Sequence, residues 1–467
     1  MHRQFLGKFN ELVRISDLSS FTYGDSLRDS IVKDIYRAAE EVTKKVVTQK
    51  SQRKITFDKK IDDLLTSKIF GYPIMILLLG LVFWITITGA NYPSQMLANL
   101  FFWLEGKLTY LFMVLGSPQW LHGILILGIY RTLAWVISVM LPPMAIFFPI
   151  FTLLEDLGYL PRVAFNLDRL FKKAGAHGKQ SLTMSMGFGC NAAGIIACRI
   201  IESPREKLIA ILTNNFVPCN GRFPTLIALA TIFVGGLVAS QYRSLAATLF
   251  VTLLVVFGII VTLIVSWVLS KTILKGIPSS FTLELPPYRK PKIGRVIYTS
   301  LIDRTIFVLG RAIAVAVPAG LIIWILANIT LGDKSILSHS AAFLDPFARM
   351  IGLDGFILMA FIIGLPANEI VVPIIIMSYM SKGAMLELES LLEMQRLFID
   401  NGWTFLTALN VMLFSLFHFP CGTALWTIGK ETGSLKWTML SALIPTVIGI
   451  AVCFIVTQGA RLLGLVF

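Results

Sequence analysis

Three cysteines in this chain each sit beside residues that break helices. Cys190 lies between Gly189 and Asn191, Cys219 between Pro218 and Asn220-Gly221, and Cys421 between Pro420 and Gly422. Proline removes one backbone donor and displaces a carbonyl, so unwound backbone beside a thiol offers oxygen and sulfur ligands at one depth. Asn368-Glu369, followed by apolar Ile370, adds a carboxylate. An ionisable group inside an apolar run is costly to leave in lipid, which makes Glu369 a functional candidate by default. Thiolate, carboxamide and carboxylate together suit a borderline divalent transition metal better than an alkali ion, a sugar or a lipid. The candidate ligand set is Cys190, Asn191, Cys219, Asn368, Glu369 and Cys421. No C-x-x-C pair occurs, and His418 is the one histidine near a candidate cysteine, so the spacing argues against a tight tetrahedral zinc cage. A permeation path needs that weakness, because an ion must shed water on entry and still leave.

The other reactive side chains read more plainly. Cys198 and Cys453 lack helix-breaking neighbours and are expected to be small buried hydrophobes. Disulfides are not expected, because no cysteine lies in an obvious external loop. His418, between Phe417 and Phe419, reads as a hydrogen-bonding packing residue. Arg131 and Arg311 lie inside apolar spans and take structural roles, while Glu202 and Glu206 with Arg199, Arg205 and Lys207 read as a solvated polar turn.

The elements that must carry these residues are apolar. With 55% hydrophobic and 15% charged residues the chain is an integral membrane protein, not a soluble globule. Gly71 to Ala90, Leu121 to Met140, Leu245 to Leu269, Phe307 to Ile329 and Trp437 to Val456 each approach the roughly 20 residues of a spanning helix. Pro142 to Leu154, Leu182 to Cys198, Leu208 to Val217, Phe223 to Val238, Phe356 to Met380 and Phe405 to Phe419 read as half-helices or re-entrant pieces, which survive in lipid only when packed among other helices. Two of these regions are copies. Leu167, Asp168, Gly175, Gly178, Gly187 and Asn191 recur, 177 positions on and without a gap, as Leu344, Asp345, Gly352, Gly355, Gly364 and Asn368. The first copy continues to Pro218-Cys219 and the second to Pro420-Cys421. The expected fold is thus all-α: a polytopic helical membrane protein with two inverted gate repeats built from broken or re-entrant helices.

The inversion rests on loop charge. Lys and Arg crowd the first 69 residues, the approach to the first repeat (Arg162, Arg169, Lys172, Lys173, Lys179) and the loop from Lys271 to Arg295, which marks these as cytoplasmic. The loop from Leu331 to Gly355, with Asp333, Asp345 and Asp354 against Lys334 and Arg349, is expected outside. The expected organisation is residues 1–69 as a cytoplasmic amphipathic-helix segment, 70–160 as N-terminal transmembrane helices, 161–270 as the first gate repeat, 271–304 as a basic cytoplasmic loop, and 305–467 as the second repeat with a C-terminal transmembrane helix. Ile31, Ile35, Ala38, Val42 and Val46 recur at helical spacing with charges between them, so Asp29 to Thr48 is expected to be an amphipathic helix, lying on lipid or docking a soluble partner. The net charge of +14 is explained by topology and anionic lipid, and no nucleic-acid partner is expected. The first 69 residues hold no apolar run of signal-peptide type, so the N-terminus is expected to stay inside. Gly175 to Gln180 fails the phosphate-loop pattern, so no GTP site is expected in this chain.

Several motifs, in order, resemble the bacterial ferrous iron transport protein B family. They are Met186-Gly187-Phe188-Gly189-Cys190-Asn191 with Arg205-Glu206-Lys207, Pro218-Cys219-Asn220-Gly221-Arg222-Phe223-Pro224, Gly364-Leu365-Pro366-Ala367-Asn368-Glu369, and His418-Phe419-Pro420-Cys421-Gly422-Thr423 with Lys430-Glu431-Thr432. Glu155-Asp156-Leu157-Gly158-Tyr159 with Arg162, and Glu284-Leu285-Pro286-Pro287-Tyr288-Arg289, match as well. The likeness runs from about Lys59 to the C-terminus. It implies a multi-pass inner-membrane importer of Fe2+, N-terminus cytoplasmic, with Cys190, Cys219 and Cys421 lining the route and no tightly bound cofactor. Family members normally begin with a GTPase domain and a small helical domain; only Asp25 to Lys50 resembles the end of the latter. The resemblance thus implies either a split version whose GTPase is a separate chain or a truncated form; the implied partners are the bilayer, a separate GTPase chain, a small cytoplasmic accessory protein and further copies of the chain. Because the gate fold is similar to one in nucleoside transporters, an organic-solute carrier is the second reading. A membrane receptor without transport activity is the third.

Overall fold

The computed structural model describes residues 31, 34–46, 57–67, 69–219, 221–238, 242–276, 288, 291–332, 334–380 and 391–464, and the side chains of Arg311 and Glu369 are among those outside that description. The chain is a polytopic bundle of helices. Five are long and apolar enough to cross a bilayer: Gly71–Val114, Gln119–Asp156, Arg243–Lys271, Phe405–Thr432 (interrupted at residues 418–421) and Leu435–Leu462. Phe307–Asn328 is a further apolar helix of 22 residues. The expectations for Arg243–Lys271, Phe307–Asn328 and Leu435–Leu462 hold to within a turn or two at their ends.

Two expectations are corrected. The first span does not stop at Ala90 but continues through Pro93 to Val114. Leu121 to Met140 and Pro142 to Leu154 are not separate pieces: the helix runs from Gln119 to Asp156 through a π-helical stretch, Gly123–Tyr130, and through Pro142, Pro143 and Pro149. A proline costs one backbone bond, whereas ending the helix in apolar surroundings strands a full turn of donors and acceptors, so the helix continues. Glycines let neighbours in here: a Cβ on Gly123 would stand 2.3 Å from the Trp324 ring. Arg131 and Glu105 form an ion pair between the first two long helices, the structural role expected of Arg131.

The Leu331 to Gly355 segment, expected as a loop, is mostly the helix Ile336–Met350, preceded by a two-residue antiparallel pairing of Thr330–Leu331 with Lys334–Ser335. It bends by 109° into Gly355–Ile363. Residues 34–46 are helical, as the N-terminal periodicity requires, and Ile35, Val42 and Val46 are exposed.

The copies match in three dimensions at the same offset. Tyr159–Lys173 and Ile336–Met350 are helices of 15 residues displaced by 177 positions. Each carries the same ion pair one turn apart, Lys172 to Asp168 and Arg349 to Asp345. Each ends at a glycine in the left-handed region, Gly175 at φ 69° and Gly352 at φ 72°. Then come Gln180–Gly187 in the first copy and Gly355–Ile363 in the second, followed by extended residues with near-identical dihedrals: Cys190 at φ −154°, ψ 126° and Ala367 at φ −148°, ψ 117°. A chain that repeats its glycines repeats its turns, and the breaks follow.

The core is aromatic around these breaks. Phe83 of the first helix meets Phe188 at the first break and Phe223 at the next, at ring-centroid distances of 6.2 and 4.8 Å. Gly189 permits the approach of Phe148, whose ring carbon would lie 2.3 Å from a Cβ there.

Candidate gate site between the two repeats

Four helix breaks carry the predicted residues. Cys190 precedes Asn191–Ala197, Asn368 opens the 3₁₀ turn Asn368–Ile370, Cys219 follows the turn Asn214–Phe216, and Cys421 precedes Gly422–Thr432. Cys219 is buried while Cys190 and Cys421 are half-buried, and none of the five cysteines is in a disulfide. Cys198 and Cys453 are fully buried, with their sulfurs against the Gly194 and Asn410 carbonyls, as expected of small core residues.

The repeats interleave at these breaks. Asn191–Ala197 of the first packs on Gly422–Thr432 of the second. Ile195, Cys198, Ile201, Ala210 and Ile211 form one cluster with Ala424 and Ile428, and Cys421 packs against it. The Gly422 N–H donates to the Leu365 carbonyl at 2.8 Å, tying the Pro366 break to the Pro420 break. Phe223–Leu229 packs on Phe405–Phe417.

A buried hydrogen-bond relay joins the equivalent asparagines. Asn191 Nδ2 donates to Asn215 Oδ1 at 3.1 Å, and Asn215 Nδ2 donates to the His418 carbonyl at 2.8 Å. The His418 ring reaches Asn368 through Nε2 at 3.2 Å, with Nδ1 against the Phe414 and Ser415 carbonyls at 3.1 and 2.9 Å. His418 is thus the packing hydrogen-bonder its sequence context implied. Asn191 and Asn368, 2% and 4% exposed, each retain a side-chain polar atom without a hydrogen bond, Asn191 Oδ1 and Asn368 Nδ2. Asn191 Oδ1 is an acceptor and so is available to a cation, whereas Asn368 Nδ2 is a donor and is not.

Arg222 lies at the centre of the relay, fully buried, and sequence reasoning gave it no role. Its Nη1 donates to the carbonyls of Asn215 at 3.0 Å and Leu416 at 2.8 Å; its Nη2 donates to Asn215 Oδ1 at 3.2 Å, His418 O at 3.1 Å and Phe419 O at 3.2 Å. Three of these carbonyls lie at or beyond the C-terminal end of Phe405–Phe417, where the helix dipole favours a cation. The signal in the sequence was a lone arginine, two residues after Asn220, in an otherwise apolar stretch.

Glu206 is also corrected. The polar turn is not solvated there: Glu206 is fully buried, near Arg205 Nη1 at 3.7 Å. Ser203 Oγ caps the helix Pro204–Thr213 by accepting from the Glu206 N–H, and the Ser-Pro-Arg-Glu order, a capping-box signature, carried that information. Arg199 and Lys207 reach across to Glu431, a second tie between repeats, and Arg205 donates to the Leu274 and Gly175 carbonyls.

The structure therefore brings Asn191 and Asn368 into one network through Asn215, Arg222 and His418, and seats Cys421 against the helix that Cys190 precedes. The Glu369 side chain and Asn220 lie outside the described residues. Among the described residues no three or more of His, Cys, Asp and Glu converge on one point.

A second constellation involves Arg162, which is 1% exposed. Its guanidinium bonds Asp62 on the helix Phe57–Leu65 at 2.9 and 3.3 Å, bonds the Gly158 carbonyl at 2.8 Å, and stacks 4.0 Å from the Tyr288 ring centroid. Burial acts to raise the Asp62 carboxyl, but Arg162 outweighs it and holds the group below the usual carboxylate value. Burial pushes the Tyr288 phenol up to about 12.

Known proteins with this pattern transport iron by name. The gate family described as Nucleoside recognition matches residues 137–233 and 309–435, two stretches that each enclose one repeat. The family described as Ferrous iron transport protein B C terminus matches residues 251–303. A protein of Staphylococcus aureus named Fe(2+) transporter FeoB is 30% identical over 460 residues, 94% of this chain and 66% of that protein. One of Campylobacter jejuni with the same name is 27% identical, covering 92% of this chain and 70% of the relative. A fusion of Fe(2+) transport protein A with Fe(2+) transporter FeoB from Porphyromonas gingivalis is 26% identical, over 86% of this chain and 51% of the fusion. The chain thus spans about two thirds or less of the length of the first of these and half of the last. No solved structure matches it. With both repeats inside gate matches and the intervening helix and basic segment matched to the family's own C-terminal region, the chain belongs to the ferrous iron transport protein B family.

Proposed function

We propose that the chain carries Fe2+ across a bacterial inner membrane between two inverted gates. The observation that carries this reading is the relay from Asn191 to Asn368, which unites the two repeats of a chain whose relatives are named Fe(2+) transporters. Cys190, Cys219 and Cys421 supply soft ligands along the path, Asn191 and Asn368 their amide oxygens, and Glu369 the compensating negative charge. Fe2+ is the cargo and no resident cofactor is required. The gate description Nucleoside recognition does not outweigh the relatives' names, so an organic solute is not the favoured cargo.

Opening is controlled from the cytoplasm by a GTPase on a separate chain. The helix over residues 34–46, N-terminus inside, is its docking element. A small accessory protein is a further partner, a reading supported by the fused Porphyromonas relative, and copies of the chain associate in the membrane. The test is anaerobic metal uptake into proteoliposomes, with and without a candidate GTPase chain. Cys190→Ser, Cys219→Ser and Glu369→Gln are each expected to cut initial Fe2+ uptake by about tenfold or more, since each removes a ligand from a weak site. Uptake unchanged in all three sinks the assigned path, and absence of any metal flux sinks the transport reading.

A further inference from the structure

Two short helices, one from each repeat, start at candidate cysteines and end at one ion pair. Asn191–Ala197 begins directly after Cys190 and continues into the turn Cys198–Ile200, while Gly422–Thr432 begins directly after Cys421. They pack on each other, with Ile195, Cys198, Ile201, Ala424 and Ile428 in one apolar cluster. Arg199 stands nine residues after Cys190, and Glu431 stands ten after Cys421. At a rise of about 1.5 Å per residue the two ends arrive level, about 14–15 Å from the breaks. There Arg199 Nε donates to the two Glu431 carboxylate oxygens at 3.0 and 3.1 Å, and Nη2 donates to Oε1 at 2.6 Å. Lys207 Nζ stands 3.6 Å from Glu431 Oε2. The Glu431 side chain is 7% exposed and that of Arg199 is 67% exposed.

The duplicated frame shows that these positions do not have to be charged to pack. Continuing the register of the copies, Arg199 corresponds to Ile376, and Glu431 corresponds to Leu229, which stands ten residues after Cys219. Both counterparts are apolar and buried. The motifs that hold the pair, Arg205-Glu206-Lys207 and Lys430-Glu431-Thr432, contribute nothing to the ligand set.

We propose that the contact of Glu431 with Arg199 and Lys207 is a latch between the repeats: it holds the two cysteine-headed helices together, keeps the path shut beyond Cys190 and Cys421, and must break for an ion to pass. The inference rests on the transport reading above and names what keeps the path closed. A guanidinium forked onto a carboxylate is directional enough to fix one helix against the other. With Arg199 largely in solvent, the pair is also weak enough to open in every cycle. Both helices leave from extended backbone, Cys190 at φ −154°, ψ 126° and Cys421 at φ −62°, ψ 159°, so parting their far ends tilts them at the breaks.

The test uses the full chain in proteoliposomes, without any GTPase chain and under reducing anaerobic conditions. Initial Fe2+ uptake is read there, and amide hydrogen exchange is read on the same proteins in detergent. Arg199→Gln and Glu431→Gln are each expected to raise uptake about fivefold, the population shift that follows loss of one partly exposed ion pair. Arg199→Lys, which keeps the charge and loses the fork, should fall between the wild type and Arg199→Gln. Raising salt from about 0.05 M to about 0.5 M is expected to speed wild-type uptake and leave Glu431→Gln where it is, since screening then has no pair to weaken. A purely structural role would lower uptake instead. Uptake unchanged or lower in Arg199→Gln overturns the latch, as does an equal salt response in the wild type and Glu431→Gln. If Glu431→Gln fails to fold, the exposed Arg199→Gln decides. A wild-type chain that moves no metal defeats the transport reading. Exchange then judges the latch: faster exchange over both 191–197 and 422–432 in Arg199→Gln supports it, and unchanged exchange overturns it.

Discussion

His418 Nε2 and the Asn368 side-chain amide face each other at 3.2 Å across the interior of the second repeat. Because Nδ1 lies against two carbonyls, that nitrogen carries the proton and Nε2 is left to accept. Two acceptors cannot share a bond, and Asn368 Nδ2 has no partner as placed; turning the amide so that Nδ2 donates to His418 satisfies both and directs Oδ1 toward the break. His418→Phe is then expected to destabilise the chain by about 1–3 kcal/mol, the cost of a buried polar group left unmatched. His418→Gln, which can still accept, should cost less. Thermal unfolding in detergent measures both, and equal losses would remove the histidine's acceptor role.

The paired glycines give a second prediction. Gly175 and Gly352 hold positive φ, and a Cβ would stand 2.4 Å from Ser270 Oγ in the first case and 2.3 Å from Asn410 Nδ2 in the second. Alanine at either position is expected to cost about 1–3 kcal/mol from backbone strain alone. Gly352→Ala should cost more, because it also displaces the buried Asn410–Thr457 bond of 3.0 Å. A smaller loss at Gly352 than at Gly175, in the same unfolding assay, would contradict this ranking.

Helix caps offer a milder perturbation. Ser203 caps Pro204–Thr213 and Thr404 caps Phe405–Phe417, each accepting from the N–H three residues on. Replacing either by alanine is expected to cost about 1 kcal/mol. The Ser203→Ala loss should be accompanied by faster amide exchange over residues 204–213, while Gly422–Thr432 stays protected.

The Asp62 to Arg162 contact predicts a pH dependence. Asp62 has a folded value below its unfolded one, so its contribution to docking Phe57–Leu65 is complete above the unfolded value, about 3.9, and is lost as pH falls through the lower folded value. Hydrogen exchange across Phe57–Leu65 should be slow at neutral pH and accelerate only in strong acid. Asp62→Asn should give the fast-exchanging helix already at neutral pH. A helix released near pH 6 would implicate another group.

Much of the plan was legible because repetition leaves marks that membrane chemistry cannot hide. Glycines at a fixed offset gave the duplicated helix, turn and break, and the cysteines at prolines lie where the helices stop. What stayed hidden was of two kinds. Pro142 read as the start of a separate half-helix, yet the helix runs through it and through Pro143 and Pro149, since in apolar surroundings the remaining backbone has no water to turn to. Arg222 read as a motif letter and Glu206 as a solvated charge, yet both are fully buried: Glu206 beside its neighbours Ser203 and Arg205, and Arg222 against residues 416 to 419. Side-chain partners nearly two hundred residues away leave no local signature.

That distance bears on how the protein is made. Arg222 and Asn215 emerge from the ribosome 194 or more residues before the carbonyls of Leu416 and His418 that they bond. During that interval the nascent first gate holds the guanidinium with only its Asn215 acceptors made and those of Leu416, His418 and Phe419 still unsynthesised, so its final seating must wait for the last helices to enter the bilayer. A chain truncated before Phe405 is expected to be held by membrane quality control and degraded, and co-expression of residues 391–467 as a separate fragment should slow that turnover, as pulse-chase labelling would register.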